Sequence, residues 1–172
     1  LDDSVFESLE TDYQLRQYEL SGNFKQLATL NYPAILEITL PNAQGTKYLA
    51  LLSLKDRVGS FGSVDRIEMS LDAVNPLWGH KAIILWKDFE RLPENFNKGF
   101  KGKEVLWLQK NLRLLGFFKG LEAPIFGPHT LKAITSFQRH YGIKDDGNFH
   151  VESRMKLYNL LSIYNTPKLV DS

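Results

Sequence analysis

The sequence has 172 residues, of which 43% are hydrophobic and 24% are charged, as in ordinary globular proteins. It contains no cysteine, so disulfides and a thiol nucleophile are excluded within these residues. No apolar run approaches the roughly 20 residues that a membrane-spanning helix requires. Residues 1–98 hold ten Lys and Arg against fourteen Asp and Glu, whereas residues 99–172 hold eleven against six. This asymmetry indicates either two units, the second favouring an anionic partner, or two solvated surfaces of unlike composition.

The first half of the chain is predicted to consist mainly of strands after a helical start. Residues 5–20 favour a helix, although their apolar residues follow no clean period, and a helical turn is predicted at 23–30, ending before Pro33. Five short apolar segments predict strands, at 34–40, 46–54, 57–61, 63–69 and 80–86. The turn-rich residues between the first two strands predict a hairpin. The result is a small, largely antiparallel sheet with one or two helices.

The second half is predicted to be helical. Residues 91–103 indicate a linker, since they combine Pro, Asn and Gly with no apolar period, and the domain boundary is placed after residue 97. Three stripes at helical spacing follow, namely Val105, Leu108, Leu112 and Leu115; Leu131, Ile134, Phe137 and Tyr141; and Leu157, Leu160, Leu161 and Tyr164. Helices this short must pack on one another. We therefore predict an all-α three-helix bundle over residues 98–165 and a tail at 166–172.

The helical half carries a series of motifs in a fixed order. They are Val-x-x-Leu-Gln-x-x-Leu at 105–112, Leu-Gly-Phe-Phe at 115–118, Ile-Phe-Gly-Pro-x-Thr at 125–130, Phe-Gln at 137–138, Tyr-Gly-Ile at 141–143 and Asp-Gly at 146–147. In this order they resemble the peptidoglycan-binding domain type 1, a three-helix module of bacterial cell-wall enzymes. Two segments depart from the pattern of that family. They are the loop 119–124 and the start of the third helix, where His150-Val-Glu-Ser153 replaces Gly-Pro-x-Thr.

The resemblance implies that peptidoglycan is recognised at the loop before the second helix. Gly127 at the N-cap and Pro128 at the first helical position begin this helix, and its unpaired N–H groups attract carboxylates such as those that end stem peptides. Aromatic side chains near the loop offer apolar contact or belong to the core, and the glutamines orient the loop or face the ligand. The predicted peptidoglycan-binding residues are Gln109, Phe117, Phe118, Phe126, Gly127, Thr130 and Gln138.

Other polar residues of this half predict no further site. Nothing brings His129, His140 and His150 together, because the first two lie eleven residues apart on one helix with no second ligand at i+4, so we predict no metal site. The sequence Asp145-Asp146-Gly147 predicts a turn rather than a calcium loop, because the alternating oxygen ligands are missing. No catalytic residue, no cofactor and no nucleic-acid partner is predicted.

The first half also carries a resemblance. The segments LNYPAILEITL, GTKYLALLSL and WGHKAIILW are similar to the periplasmic region of the general secretion pathway protein A family (ExeA-like), whose middle part looks like a papain-like C39 peptidase. The resemblance implies an α+β fold, with a papain-like (C39-like) domain over residues 1–97 ahead of the bundle. An active C39 peptidase needs a Cys and a His. Here Thr46 or Lys47 stands at the His position, so a degenerate domain is predicted, with Trp78 and Trp86 in its core or lining a remaining cleft.

Together the two resemblances imply a non-catalytic, periplasmic, peptidoglycan-binding piece of a type II secretion assembly protein. Its expected role is to help insert the secretin through the cell wall, with the secretin and a partner membrane protein as further partners. An ATPase and an inner-membrane anchor are expected upstream in the full-length protein. Two alternatives stay open at this point. One is a cell-wall hydrolase accessory, with Asp65 and Glu68 as candidate carboxylates, and the other is a protein–protein adaptor that has lost wall binding.

Overall fold

The computed structural model describes residues 3–62, 65–94 and 96–170, with side chains described from residue 7 onward. By its internal contacts the chain divides into two compact units. The first unit combines Leu1–Lys87 with Met155–Ser172, and the second unit is Asp88–Arg154. The boundaries predicted from the sequence, after residues 97 and 165, differ from this division.

The first unit is built on a six-stranded sheet. Its strands are β1 (Arg16–Ser21), β2 (Ala34–Ile38), β3 (Lys47–Lys55), β4 (Val58–Gly62), β5 (Arg66–Ser70) and β6 (Trp78–Trp86). They lie in the order β1-β6-β2-β3-β4-β5, and every neighbouring pair is antiparallel. The predicted α+β fold with a mainly antiparallel sheet is confirmed, and so is the hairpin of β2 and β3.

The sheet buries one face of its central strands. Ala34, Leu36 and Ile38 alternate with less buried residues along β2, as the period of a strand requires. Trp78 and Trp86, at the two ends of β6, are both buried, which confirms the prediction that they belong to the core.

The helix predicted over residues 5–20 is wrong in its second part. Helix α1 (Asp3–Tyr13) ends early, and Arg16–Ser21 forms β1, which pairs with β6 along its whole length. Leu20 is the one buried residue of this edge strand, and the alternation of polar and apolar residues extends over only residues 17–21, so the signal in the sequence was short.

Two further helices belong to the first unit. The predicted helical turn at 23–30 is confirmed as α2 (Phe24–Leu30). A capping box begins it, because Asn23 accepts from the Gln26 N–H and the Gln26 side chain accepts from the Asn23 N–H. It ends at Asn31, which adopts the left-handed conformation at φ 63°. The short helix α3 (Leu71–Val74) precedes β6.

The C-terminal residues complete the core of the first unit. The Leu54 N–H donates to the Leu169 carbonyl at 2.6 Å, and the Asn31 side chain accepts from the Val170 N–H at 2.6 Å. Leu169 is fully buried. The Tyr32 hydroxyl donates to the Met155 carbonyl at 3.2 Å. The segment predicted as a tail is thus tied to the sheet by backbone hydrogen bonds.

The second unit contains the predicted helices α4 (Lys103–Leu114) and α5 (Pro128–Tyr141). The third predicted helix is α6 (Val151–Leu160), which a 3₁₀ turn follows at Ser162–Tyr164; only Val151–Arg154 of α6 falls in the second unit. Whether all three helices form one bundle stays a prediction. Among the described residues, no helix is both long and apolar enough to cross a membrane.

The segment predicted as a linker packs into the core of the second unit, so that prediction is wrong. Leu92 and Phe96 are 4% and 2% exposed. The ring of Phe96 makes edge-to-face contacts with Phe100, Phe126 and Phe149, with centroids 5.1, 5.8 and 6.2 Å away. Aromatic residues without helical spacing therefore form a core here that periodicity could not reveal.

A buried ion pair joins the two ends of the second unit. The Arg154 Nη1 lies 3.4 Å from the Asp88 carboxylate, and the side chains are 6% and 2% exposed. The same guanidinium donates to the carbonyls of Phe149, Leu92 and Pro93. We call this arrangement of Arg154 and its partners the Arg154 clasp.

Candidate functional site

A buried glutamine of α4 fixes the loop that leads into α5. The Gln109 Nε2 donates to the Thr130 hydroxyl at 2.8 Å and to the Ile125 carbonyl at 3.2 Å. Its Oε1 accepts from the Ala123 N–H at 2.8 Å. Gln109 and Thr130 are 2% and 1% exposed. Both ends of one side-chain amide are thus committed to holding residues 123–130 in place.

The same loop sets the start of α5 as predicted. Gly127 is the N-cap, with extended backbone at φ −99° and ψ −170°, and Pro128 occupies the first turn. No side chain caps this end by a hydrogen bond, because the N-cap residue is a glycine. The first turn therefore presents backbone N–H groups that have no partner within the helix.

A second glutamine repeats this arrangement one helix later. The Gln138 Nε2 donates to the Asn148 carbonyl at 2.7 Å and to the Ser153 hydroxyl at 3.1 Å, and its Oε1 accepts from the Gly147 N–H at 2.9 Å. Ser153 stands in α6 where Thr130 stands in α5. The departure from the family pattern at 150–153 therefore keeps the hydroxyl that the glutamine needs.

We call the two arrangements the Gln109 clasp and the Gln138 clasp. Of the two roles predicted for these glutamines, their hydrogen bonds show the first, to orient a loop. The pairing of each glutamine with a hydroxyl residue was not predicted, although a signal was present. In each case an apolar residue precedes the glutamine, as in Leu108-Gln109 and Phe137-Gln138. The hydroxyl residue is the third residue of the following helix, Thr130 in α5 and Ser153 in α6. Gln109 and Thr130 are 21 residues apart, whereas Gln138 and Ser153 are 15 apart. Because the two loops differ in length, no fixed period links the pairs.

The three predicted aromatic residues lie in different surroundings. Phe126 is 1% exposed and packs on Phe96, in the core of the unit. Phe118 is 3% exposed and lies beneath the guanidinium of Arg113, with 5.3 Å from Cζ to the ring centre. Phe117 is half-buried and packs at the C-terminal end of α5, on Phe137.

The predicted residues therefore form a framework more than a surface. Five of the seven have buried side chains, namely Gln109, Phe118, Phe126, Thr130 and Gln138. Gln109, Phe126, Gly127 and Thr130 come together around one loop, while Gln138 holds the next loop and Phe117 lies apart from both. That these residues take part in binding peptidoglycan stays a prediction, and the buried ones are placed to hold the loops in position.

The outer surface of the first loop presents residues that the sequence did not single out. Arg113 bonds the Glu122 carboxylate at 2.9 Å and also donates to the Gly120 carbonyl, which fixes residues 120–122 against the end of α4. Leu121 is 94% exposed at the tip of this loop, and Ile125 is 47% exposed. The signal available in the sequence was Leu121, a large apolar residue within the short loop 119–124.

The turn at Asp145-Asp146-Gly147 is confirmed. The Asp146 carboxylate accepts from the Asn148 N–H at 2.9 Å, and Gly147 is left-handed at φ 75°. Desolvation acts to raise the pKa of Asp146, but the Asn148 N–H and the Lys144 ammonium outweigh it and hold that pKa below its usual value. Within the described part of the chain, no group of three or more His, Cys, Asp or Glu side chains is placed to hold a metal ion.

Comparison with known proteins finds a family match for part of the second unit. Residues 101–149 match the family described as "Putative peptidoglycan binding domain". The resemblance predicted for the second half is thereby confirmed. Over 71 residues the chain is 39% identical to the N-acetylmuramoyl-L-alanine amidase CwlM of Mycobacterium tuberculosis. The aligned residues make up 41% of this chain and 18% of that protein. The chain thus spans less than a fifth of the length of this relative.

Solved structures extend the likeness beyond that segment. A periplasmic domain of the EpsAB fusion protein of the Vibrio vulnificus type II secretion system has a TM-score of 0.56 at 18% identity, covering 89% of this chain and 67% of that one. The chain shares the fold of this domain. The peptidase domain of Streptococcus ComA, a bi-functional ABC transporter, covers 45% of this chain and 61% of its own at 15% identity. Its TM-score of 0.39 is too low to carry an argument.

Proposed function

We propose that the second unit binds peptidoglycan without cleaving it. The observation that carries this proposal is that residues 101–149 match a peptidoglycan-binding family and that the motif residues Gln109 and Thr130 build one rigid loop. Rigid loops on a helical frame are where binding residues are most often held.

The binding surface in this proposal is the outer side of residues 119–129 with the first turn of α5. Backbone N–H groups at that turn attract a stem-peptide carboxylate. Leu121 and Ile125 supply exposed apolar contact beside it. Gly127 leaves the approach to the helix open, because a side chain added there would meet nothing within 4 Å. Gln109, Phe118, Phe126 and Thr130 shape this surface from beneath, and Gln138 does the same for the loop before α6.

The charge of the second unit supports an anionic partner. Residues 88–154 hold eleven Lys and Arg against eight Asp and Glu. Five lysines are exposed on and near α4 and α5, at Lys101, Lys103, Lys110, Lys119 and Lys132. Such a surface raises the local concentration of a polymer that carries carboxylates.

We further propose a place for the whole chain: a periplasmic part of a type II secretion assembly protein that helps the secretin pass the wall. The fold shared with the EpsAB periplasmic domain supports this placement. The absence of cysteine from the sequence supports a non-catalytic, C39-like first unit, because thiolate chemistry has no nucleophile here. The secretin and a partner membrane protein are the partners that this role requires.

Co-sedimentation with purified peptidoglycan sacculi tests the wall-binding proposal. Thr130→Val keeps the side-chain volume but removes the acceptor for Gln109, which should destabilise the folded loop by about 1–3 kcal/mol. The amount of protein retained on the sacculi should therefore fall several-fold. Thr130→Ser keeps the hydroxyl and should bind like the wild type. Ser153→Ala is the matched control, because it removes the equivalent acceptor of Gln138, and it should leave retention near the wild-type level.

Three results would count against the proposal. Wild-type protein that stays in the supernatant refutes wall binding. Equal retention by Thr130→Val and the wild type refutes the placement of the site. Soluble muropeptides released during the incubation refute the non-catalytic role and favour a hydrolase.

A further inference from the structure

Four aromatic rings gather at the C-terminal end of α5, away from the loop that the Gln109 clasp holds. Phe117 lies 5.5 Å from Phe137, 5.5 Å from His140 and 6.1 Å from Tyr141, measured between ring centres. Tyr141 in turn lies 5.0 Å from Phe137 and 4.7 Å from His140. We call these four residues the aromatic cluster. All of them fall within the family match at 101–149.

The backbone brings the rings together through two similar helix ends. Gly116 follows α4 in the left-handed conformation at φ 84°, and Gly142 ends α5 at φ 68°. The turn at Gly116 is closed when the Phe117 N–H donates to the Leu112 carbonyl at 2.8 Å. Phe117 is thereby set against the last turn of α5, where residues 137, 140 and 141 share one face.

The cluster has a buried base and an accessible top. Phe137 is fully buried, Phe117 and Tyr141 are half-buried, and His140 is exposed. Burial raises the pKa of the Tyr141 hydroxyl above its usual value. The contacts of Phe117 with Phe137 and of His140 with Tyr141 are edge-to-face, at 87° and 85°. In an edge-to-face pair one ring covers a face of its neighbour with its edge, so each pair covers fewer flat faces than a stacked pair does.

Two ion pairs lie next to the end of α5 in the chain. Arg139 bonds Asp145 through Nε at 3.0 Å and Nη2 at 2.9 Å. Lys144 lies 3.1 Å from Asp146. Because these charges neutralise one another, they add no net attraction for an anion at this end of the helix, which suits an uncharged ligand that carries hydroxyl groups.

We propose that the aromatic cluster binds sugar rings of the peptidoglycan glycan strand, through the apolar C–H face of N-acetylhexosamine units. This inference rests on the proposed function and adds a subsite to it. Thr130 and Tyr141 are eleven residues apart on one helix, which is about 16 Å along its axis. The start of α5 and the aromatic cluster at its end therefore contact different parts of one polymer, a stem peptide and the glycan.

A glycan without stem peptides separates the two subsites. The probe is the β-1,4-linked tetramer of N-acetylglucosamine, titrated into the whole chain while two-dimensional NMR spectra are recorded. The ring signals of Phe117, His140 and Tyr141 should shift together, with small shifts at Thr130. Phe117→Leu and His140→Ala should each weaken tetramer binding roughly fivefold. His140 is exposed, so the second variant is expected to fold as the wild type does.

Two controls make the result specific. Tyr48→Leu removes a 42% exposed aromatic ring from the first unit and should leave tetramer binding unchanged. Thr130→Val should also leave it unchanged, although it weakens retention on sacculi. If the tetramer shifts no signal of the cluster, or if Tyr48→Leu weakens binding as much as His140→Ala, the inference is overturned. Sacculi that still retain the protein in that case leave the proposed function standing.

Discussion

Arg154 is the residue whose replacement should damage the second unit most. Its guanidinium is 6% exposed and holds the Asp88 carboxylate together with the carbonyls of Phe149, Leu92 and Pro93. Arg154→Met keeps most of the volume but leaves Asp88, 2% exposed, without this partner. Breaking a buried ion pair from one side costs about 3–5 kcal/mol. We expect the second unit to lose about that much stability.

Hydrogen–deuterium exchange followed by mass spectrometry measures this loss in the right place. A cost of about 3 kcal/mol corresponds to exchange roughly 100-fold faster in α4 and α5 under conditions where closing is faster than chemical exchange, so that the opening equilibrium sets the exchange rate. Arg154→Lys keeps the charge but not the forked set of guanidinium donors, so its exchange rate should lie between those of the wild type and Arg154→Met.

The double variant Asp88→Leu/Arg154→Met is the matched control. Replacing both members of a buried pair by apolar side chains is often neutral or stabilising. Exchange in the double variant should therefore be slower than in Arg154→Met alone. The reasoning is wrong if Arg154→Met exchanges within threefold of the wild type, or if the double variant exchanges faster than the single one.

Three further substitutions have clear expected outcomes. Gly147→Ala should cost about 2–3 kcal/mol in urea unfolding, because Gly147 is left-handed and its added Cβ would clash with the Leu131 side chain. Gly116→Ala is also left-handed but adds its Cβ to open space, so it should cost only about 1 kcal/mol. Burial and then the charge of Lys168 lower the pKa of Lys156. The unfolded chain consequently binds more protons, so the urea midpoint should rise as pH approaches 10.5, and Lys156→Met should reduce that rise.

Local patterns predicted the helices better than the edges of the sheet. The stripe of α4 and the Gly-Pro start of α5 are contained within a few turns of chain, so the sequence around them was sufficient. Strand β1 is held by β6, more than fifty residues later, and only Leu20 of it is buried. Phe96 is buried for a similar reason, since its partners Phe126 and Phe149 are distant in sequence.

The candidate site was predicted as a set of residues but not as an arrangement. Motif order pointed to Gln109 and Thr130, yet it could not show that each satisfies the other inside the unit. Whether a glutamine faces a ligand or a neighbouring loop depends on contacts across 21 residues of chain. The aromatic cluster was hidden in the same way, because Tyr141 had been assigned to the core stripe of its helix.

The hydrogen bonds of Leu54 and Asn31 to residues 169 and 170 affect the order in which the two units can fold during synthesis. Residues 88–154 form one uninterrupted stretch, so the second unit has all of its own residues before residues 155–170 are synthesised. The sheet of the first unit, although synthesised earlier, must wait for Leu169 before its core is filled. Proteolysis shortly before residue 165 would therefore harm the half of the molecule that lies farthest away in sequence.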